Sequence, residues 1–209
     1  MSGVARHPRA VVRWLAVALV GLLSGCATGL TPLTTEQAKG LTEAQRIADQ
    51  VTKGYGVPGV RVYPISLGPG TGGSWAYQND WIYVRPELLT GSRLLVLISH
   101  ELGHVTLGHR PLYVPNVQRT ATAVERERAA NRRGVEILVK YLGLTEQQAL
   151  DHYATYLIEA NRMRHGQDVL LPFGHLHPCV ELKELWEGFD KTAPQCEAVS
   201  ETVTAAPTK

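Results

Sequence analysis

The chain has 209 residues, of which 44% are hydrophobic, 19% charged and 7% aromatic, enough apolar side chain for one buried core and too little charge for a disordered chain. Its 20 Gly and 12 Pro follow no period, which excludes collagen-like and repeat architectures. The formal net charge is +2, but three of the 21 Lys and Arg are Arg6, Arg9 and Arg13; beyond residue 25 the balance is 18 basic against 19 acidic residues, which excludes the basic footprint of a nucleic-acid-binding domain.

In chain order, the three arginines precede an uncharged apolar run, Trp14–Leu23. Ten helical residues cover about 15 Å, roughly half the hydrocarbon core of a bilayer. A basic start, a short apolar stretch and small residues behind it describe a secretory signal over residues 1–25, not a membrane span. The run ends Leu23-Ser24-Gly25-Cys26, which resembles a bacterial lipobox. Cys26 is then the lipidated first residue of the mature chain. Ala27 favours sorting to the outer membrane, with the domain facing the periplasm on a lipid anchor. Residues 26–34 read as a tether and 197–209 as a disordered tail, leaving a domain over 35–196.

Within that domain, Leu41, Ile47 and Val51 are spaced for one face of a helix from Thr35 to about Lys53. Val60–Ile65 alternates like a strand. Ser74–Gln78 and Trp81–Arg85 read as two more strands, joined at Asn79-Asp80. The glycine-rich stretch Gly68–Gly73 lacks the Gly-Lys-Ser/Thr ending of a phosphate-binding loop and reads as a turn. Helices are predicted from Glu87 to Leu107, from about Val117 to Leu142, from Thr145 to about Arg164 and near Val180–Phe189. The fold class is α+β, a small sheet followed by a helical body. Of the three cysteines, Cys179 and Cys196 remain after lipidation of Cys26, either as a disulfide in an oxidising compartment or as two buried thiols.

The chemistry concentrates in His100-Glu101-Leu-Gly-His104. Histidines four apart project from one helix face, so two imidazole nitrogens can reach one zinc ion at about 2.0–2.1 Å. Glu101, one residue round, stands where a carboxylate can take a proton from a metal-activated water. A catalytic zinc needs a third protein ligand. Val124, Asn131, Val135, Leu138 and Leu142 share a stripe of the following helix, and Glu127 lies beside its centre. Glu125, Arg126, Arg133 and Lys140 point elsewhere, so Glu127 is the inward carboxylate.

These residues resemble a gluzincin, specifically the HtpX-like and CAAX-prenyl-protease-like zinc metallopeptidases. The likeness runs over roughly residues 73 to 186 and includes Gly108-His109, the Glu127-x-x-x-Asn131-Arg-x-Gly134 segment and His177-Pro178. It implies a compact zincin-like fold, one zinc per chain held by His100, His104 and Glu127, Glu101 as general base, and a polypeptide substrate. The family usually has Asp where Asn131 stands; that residue orients a ligand histidine, here without the charge. His177 is implied to bind an oxyanion or to cap the zinc at rest. Lys183 replaces the Arg usual six residues after that His, as a weaker source of charge stabilisation. Ser74–Gln78 falls where these peptidases place an edge strand, which can grip a substrate backbone; core aromatics in a small sheet are the alternative. His109 reads as a surface residue at a helix end, and His152, His165 and His175 as ordinary exposed histidines. Residues 112–120 are a candidate lid. Two other functions stand beside the endopeptidase: a non-catalytic zinc-bound lipoprotein that binds or chaperones envelope partners, and a metal-independent scaffold. Neither the substrate nor the oligomeric state is implied.

Overall fold

A computed structural model of the chain describes residues 32–65, 75–77, 81–109, 121–164 and 175–196. The leader, Cys26, the tether as far as 31, the glycine-rich turn, the candidate lid, His165 and the tail lie outside them. All described elements fall in one compact unit, Leu33–Lys209.

Helix α1, Thr35–Tyr55, starts at a capping box in which the Thr34 hydroxyl accepts from Gln37 N–H and the Gln37 side chain accepts from Thr34 N–H. Gly56, at φ 66°, closes it. Strands β1 (Arg61–Pro64), β2 (Trp75–Tyr77) and β3 (Trp81–Val84) form one sheet in the order β1-β3-β2, parallel between β1 and β3 and antiparallel between β2 and β3. Alternation puts Val62, Ile82 and Val84 into the core. It leaves Tyr63 and Trp81 on the outer face, ring centroids 4.8 Å apart. The far edge of β1 is sealed by a side chain from α1: Gln45 donates to Val60 O and accepts from Val62 N–H, both at 2.9 Å.

The helix predicted from Glu87 to Leu107 is two elements. A single 3-10 turn, Pro86–Leu88, is followed by α2, Arg93–Thr106. Gly91 adopts φ 78° between them, a conformation that ends any right-handed helix. Helix α3 is Ala121–Leu142, α4 is Glu146–Arg164 and α5 is Pro178–Glu187. Thr145 and Gln148 form a second capping box at α4. Pro178 occupies the first turn of α5, where its missing N–H costs nothing. The architecture is thus α+β, and no described helix is long and apolar enough to cross a membrane.

Two apolar clusters share α2 and α3 as their common wall. One packs Ile47 and Val51 of α1 and the inner sheet face against Ile98, Leu102 and Ile137. The other packs Val135 and Leu138 of α3 against Leu150, Tyr153, Leu182 and Trp186 of α4 and α5. Helices α2 and α3 cross closely because glycines lie at the crossing. A Cβ on Gly103 would meet Ala130 O at 2.5 Å, and one on Gly134 would sit 3.2 Å from the Ser99 carbonyl carbon of α2 while colliding with the Tyr153 hydroxyl of α4.

Cys179 and Cys196 form a disulfide that closes 17 residues between α5 and the segment after it. Its reduction, or Cys179→Ser, is expected to cost about 2–4 kcal/mol, read as a fall in the urea midpoint of the full chain.

Candidate metal centre

Helix α2 buries Leu94, Val96, Leu97, Ile98, Leu102 and Val105 around most of its circumference, so it is held from several sides and its register is rigid. His100 and His104 occupy the remaining face, their Nε2 atoms 3.1 Å apart. The close crossing at Gly103 brings α3 near enough for Glu127 Oε2 to lie 3.2 Å from His100 Nε2 and 3.2 Å from His104 Nε2. Three donor atoms thus form a nearly equilateral triangle with edges of 3.1–3.2 Å. A tetrahedral ion with ligands at about 2.0–2.1 Å has donor–donor edges of about 3.3–3.4 Å. The residues present therefore fit zinc with little movement.

Each imidazole is also held at its other nitrogen. His100 Nδ1 lies 2.8 Å from Asn131 Oδ1, so it donates there and turns Nε2 toward the site. Asn131 is buried and stands one turn after Glu127, so one face of α3 supplies both the carboxylate and the orienting amide. His104 Nδ1 lies 3.0 Å from His109 Nδ1. Glu101 is buried at 5% exposure, and its charge is among those that raise the pKa of His100.

Two histidines make contacts that the sequence reading did not specify. His175 Nε2 is 3.3 Å from Glu127 Oε2, and its Nδ1 is 3.1 Å from Glu181 Oε1. The same Glu181 oxygen accepts from Leu176 N–H at 2.8 Å. This buried carboxylate draws the segment before α5 inward with residue 175 facing the site, so His175 is not an ordinary exposed histidine. His177, in contrast, is exposed. Its Nδ1 accepts from Cys179 N–H as the cap of α5. Lys183 is exposed as well and pairs with Glu187 at 3.7 Å. His109 follows the end of α2 and is half-buried, and its ring also packs on that of His104. Its sequence signal was Gly108, a helix terminator that turns the following residue back on the last turn. For His175 the signal was a buried acid six residues downstream, visible only once burial is known.

Without metal the group is strongly coupled. Burial opposes a charge on His100, but the adjacent Glu127 carboxylate outweighs it and lifts the pKa from 6.5 to about 9. Burial also opposes the charge on Glu127, yet hydrogen bonds from His100 and His104 hold it well below the usual carboxylate range. His175 is likewise raised by Glu181 against its burial. Burial, then the neighbouring His104 and Arg126 side chains, lower the pKa of His109 to about 4. The raised His100 contributes stability that is fully present below its unfolded value of 6.5 and is lost as pH rises through about 9. A zinc ion held there would need that ring neutral, so its apparent affinity is expected to rise over the same interval. Urea unfolding of metal-free chain at pH 6.5 and 9, beside zinc titrations at both, is expected to show stability falling while affinity climbs.

A cavity of about 470 Å³ adjoins the group, lined by Leu107, Val124, Glu127, Asn131, Leu176 and Glu181 among others. Comparison of the chain with protein-family models, with curated proteins and with solved structures finds no match.

Proposed function

We propose that the chain is a zinc-dependent endopeptidase of gluzincin type, in a zincin-like domain anchored by lipid at Cys26 to the outer membrane and facing the periplasm. The triangle of His100, His104 and Glu127 donors carries this reading, with a second carboxylate, Glu101, buried one residue from His100. Bound by those three residues, zinc supplies Lewis acidity toward water and toward a peptide carbonyl. Glu101 takes the proton of the attacking water as the new C–O bond forms. It returns that proton to the nitrogen as the C–N bond breaks. Asn131 keeps His100 in the tautomer that leaves Nε2 for the ion. The neighbouring cavity is in the size range of pockets for small groups, and it gives a substrate side chain a place beside Glu127. Strand β2 touches α2 and, among the described strands, pairs with β3 alone, so it is suited to hold an extended substrate backbone. The disulfide agrees with an oxidising compartment.

His175 favours a second reading. A histidine beside Glu127, backed by the Glu181 carboxylate, is a candidate fourth protein ligand, and four protein ligands make a closed, structural zinc site. The chain would then be a zinc-stapled binding or chaperone module. Zinc content of the purified chain and cleavage of an unfolded protein, with and without chelator, separate the readings. One zinc and chelator-sensitive cleavage support the endopeptidase. Zinc without cleavage supports the module, and a metal-free, chelator-indifferent chain overturns both.

A further inference from the structure

We propose that His109 is a positioning residue for the metal centre, brought into place by the C-cap of α2, so that the terminator of the ligand helix also sets the aim of its last ligand. The proposal rests on the zinc reading above.

The cap is built from two backbone bonds. His109 N–H donates to His104 O at 2.9 Å and Gly108 N–H donates to Val105 O at 3.1 Å, the paired six-to-one and five-to-two bonds of a Schellman motif. Gly108 supplies the left-handed residue this motif needs, at φ 66°. A Cβ there would meet nothing within 4 Å, so glycine serves the backbone conformation and not the packing. The motif always returns the residue after the glycine to a carbonyl five positions earlier. Here that carbonyl belongs to His104, and the side chains follow: ring centroids lie 5.1 Å apart, with Nδ1 atoms at 3.0 Å.

Only one hydrogen fits between two nitrogens at that distance. A ring that offers the Nε2 lone pair to a cation carries its proton on Nδ1, so His104 donates and His109 accepts. His109 thereby does for His104 what Asn131 does for His100. Both acceptors are neutral, so the two ligand rings are oriented without added negative charge.

The test uses the full chain with 15N-labelled histidine, zinc affinity measured by chelator competition, and the variants His109→Leu and His109→Asn. The wild type is expected to show 15N–15N coupling across the His104–His109 bond. His109→Leu, which cannot accept, should bind zinc about 10–100-fold more weakly. His109→Asn, whose side-chain oxygen can accept, should recover most of that loss. Unchanged affinity in the Leu variant overturns the proposal, as does a loss that Asn fails to restore, which would mark a packing role. If the wild type binds no zinc, the zinc reading fails on its own, and the coupling in the metal-free chain still decides whether the two rings are bonded. Its absence overturns the proposal in either case.

Discussion

Glu101→Gln is expected to lower hydrolysis of an unfolded protein by about 10²–10⁴-fold, the usual contribution of a positioned general base, while zinc stays bound one per chain. The substitution keeps shape and volume at a residue only 5% exposed, so folding should be little disturbed. It removes the one property the reaction needs there, a carboxylate able to take and return a proton. Because the Glu101 charge also helps hold up the pKa of His100, the metal-free variant should titrate His100 lower than wild type by NMR. That shift checks that the two groups communicate even if no substrate is in hand. Equal cleavage by the variant and the wild type would end the endopeptidase reading.

Gly103→Val is expected to damage stability and metal binding together, although Gly103 contributes no donor atom. Even the first carbon of a side chain would sit 2.5 Å from Ala130 O and 3.1 Å from Ala130 C and Cα. Those atoms are helix backbone and cannot swing aside, so α2 and α3 must part. Overpacking of this kind costs about 1–3 kcal/mol. Parting the helices also stretches the 3.2 Å separations between Glu127 and the two histidines. Urea unfolding reads the first effect and chelator competition the second. A variant that loses stability yet keeps wild-type zinc affinity would show that Glu127 is not positioned by this crossing.

The part of the site carried by regular helices is legible in the amino-acid sequence. His100 and His104 are four residues apart, and Glu127 and Asn131 are four apart on the next helix, so local periodicity alone puts each pair on one face. Counting thiols offers the Cys179–Cys196 bridge beside two buried thiols, and it is the fold that brings the pair together. His175 is hidden because its position depends on Glu181, six residues later and buried. His109 is hidden behind the ordinary reading of a histidine at a helix end, although Gly108 beside it specifies the backward turn. The break at Gly91 is masked by Leu88, Leu89, Leu94 and Leu97, apolar residues that continue the helical pattern across it. The parallel pairing of β1 with β3 depends on how the chain crosses between them, which residue alternation within a strand does not encode.

Gln45 gives the sheet a direction of growth. Because its amide occupies Val60 O and Val62 N–H, no incoming chain can zip onto β1 without first evicting it. Among the described strands the other edge is β2, which lies against the helix of His100 and His104, so an added strand would be expected on that side. On the endopeptidase proposal, one glutamine on α1 would thus act as a turnstile, closing one edge of the sheet and leaving, among the described strands, the edge beside the helix of His100 and His104.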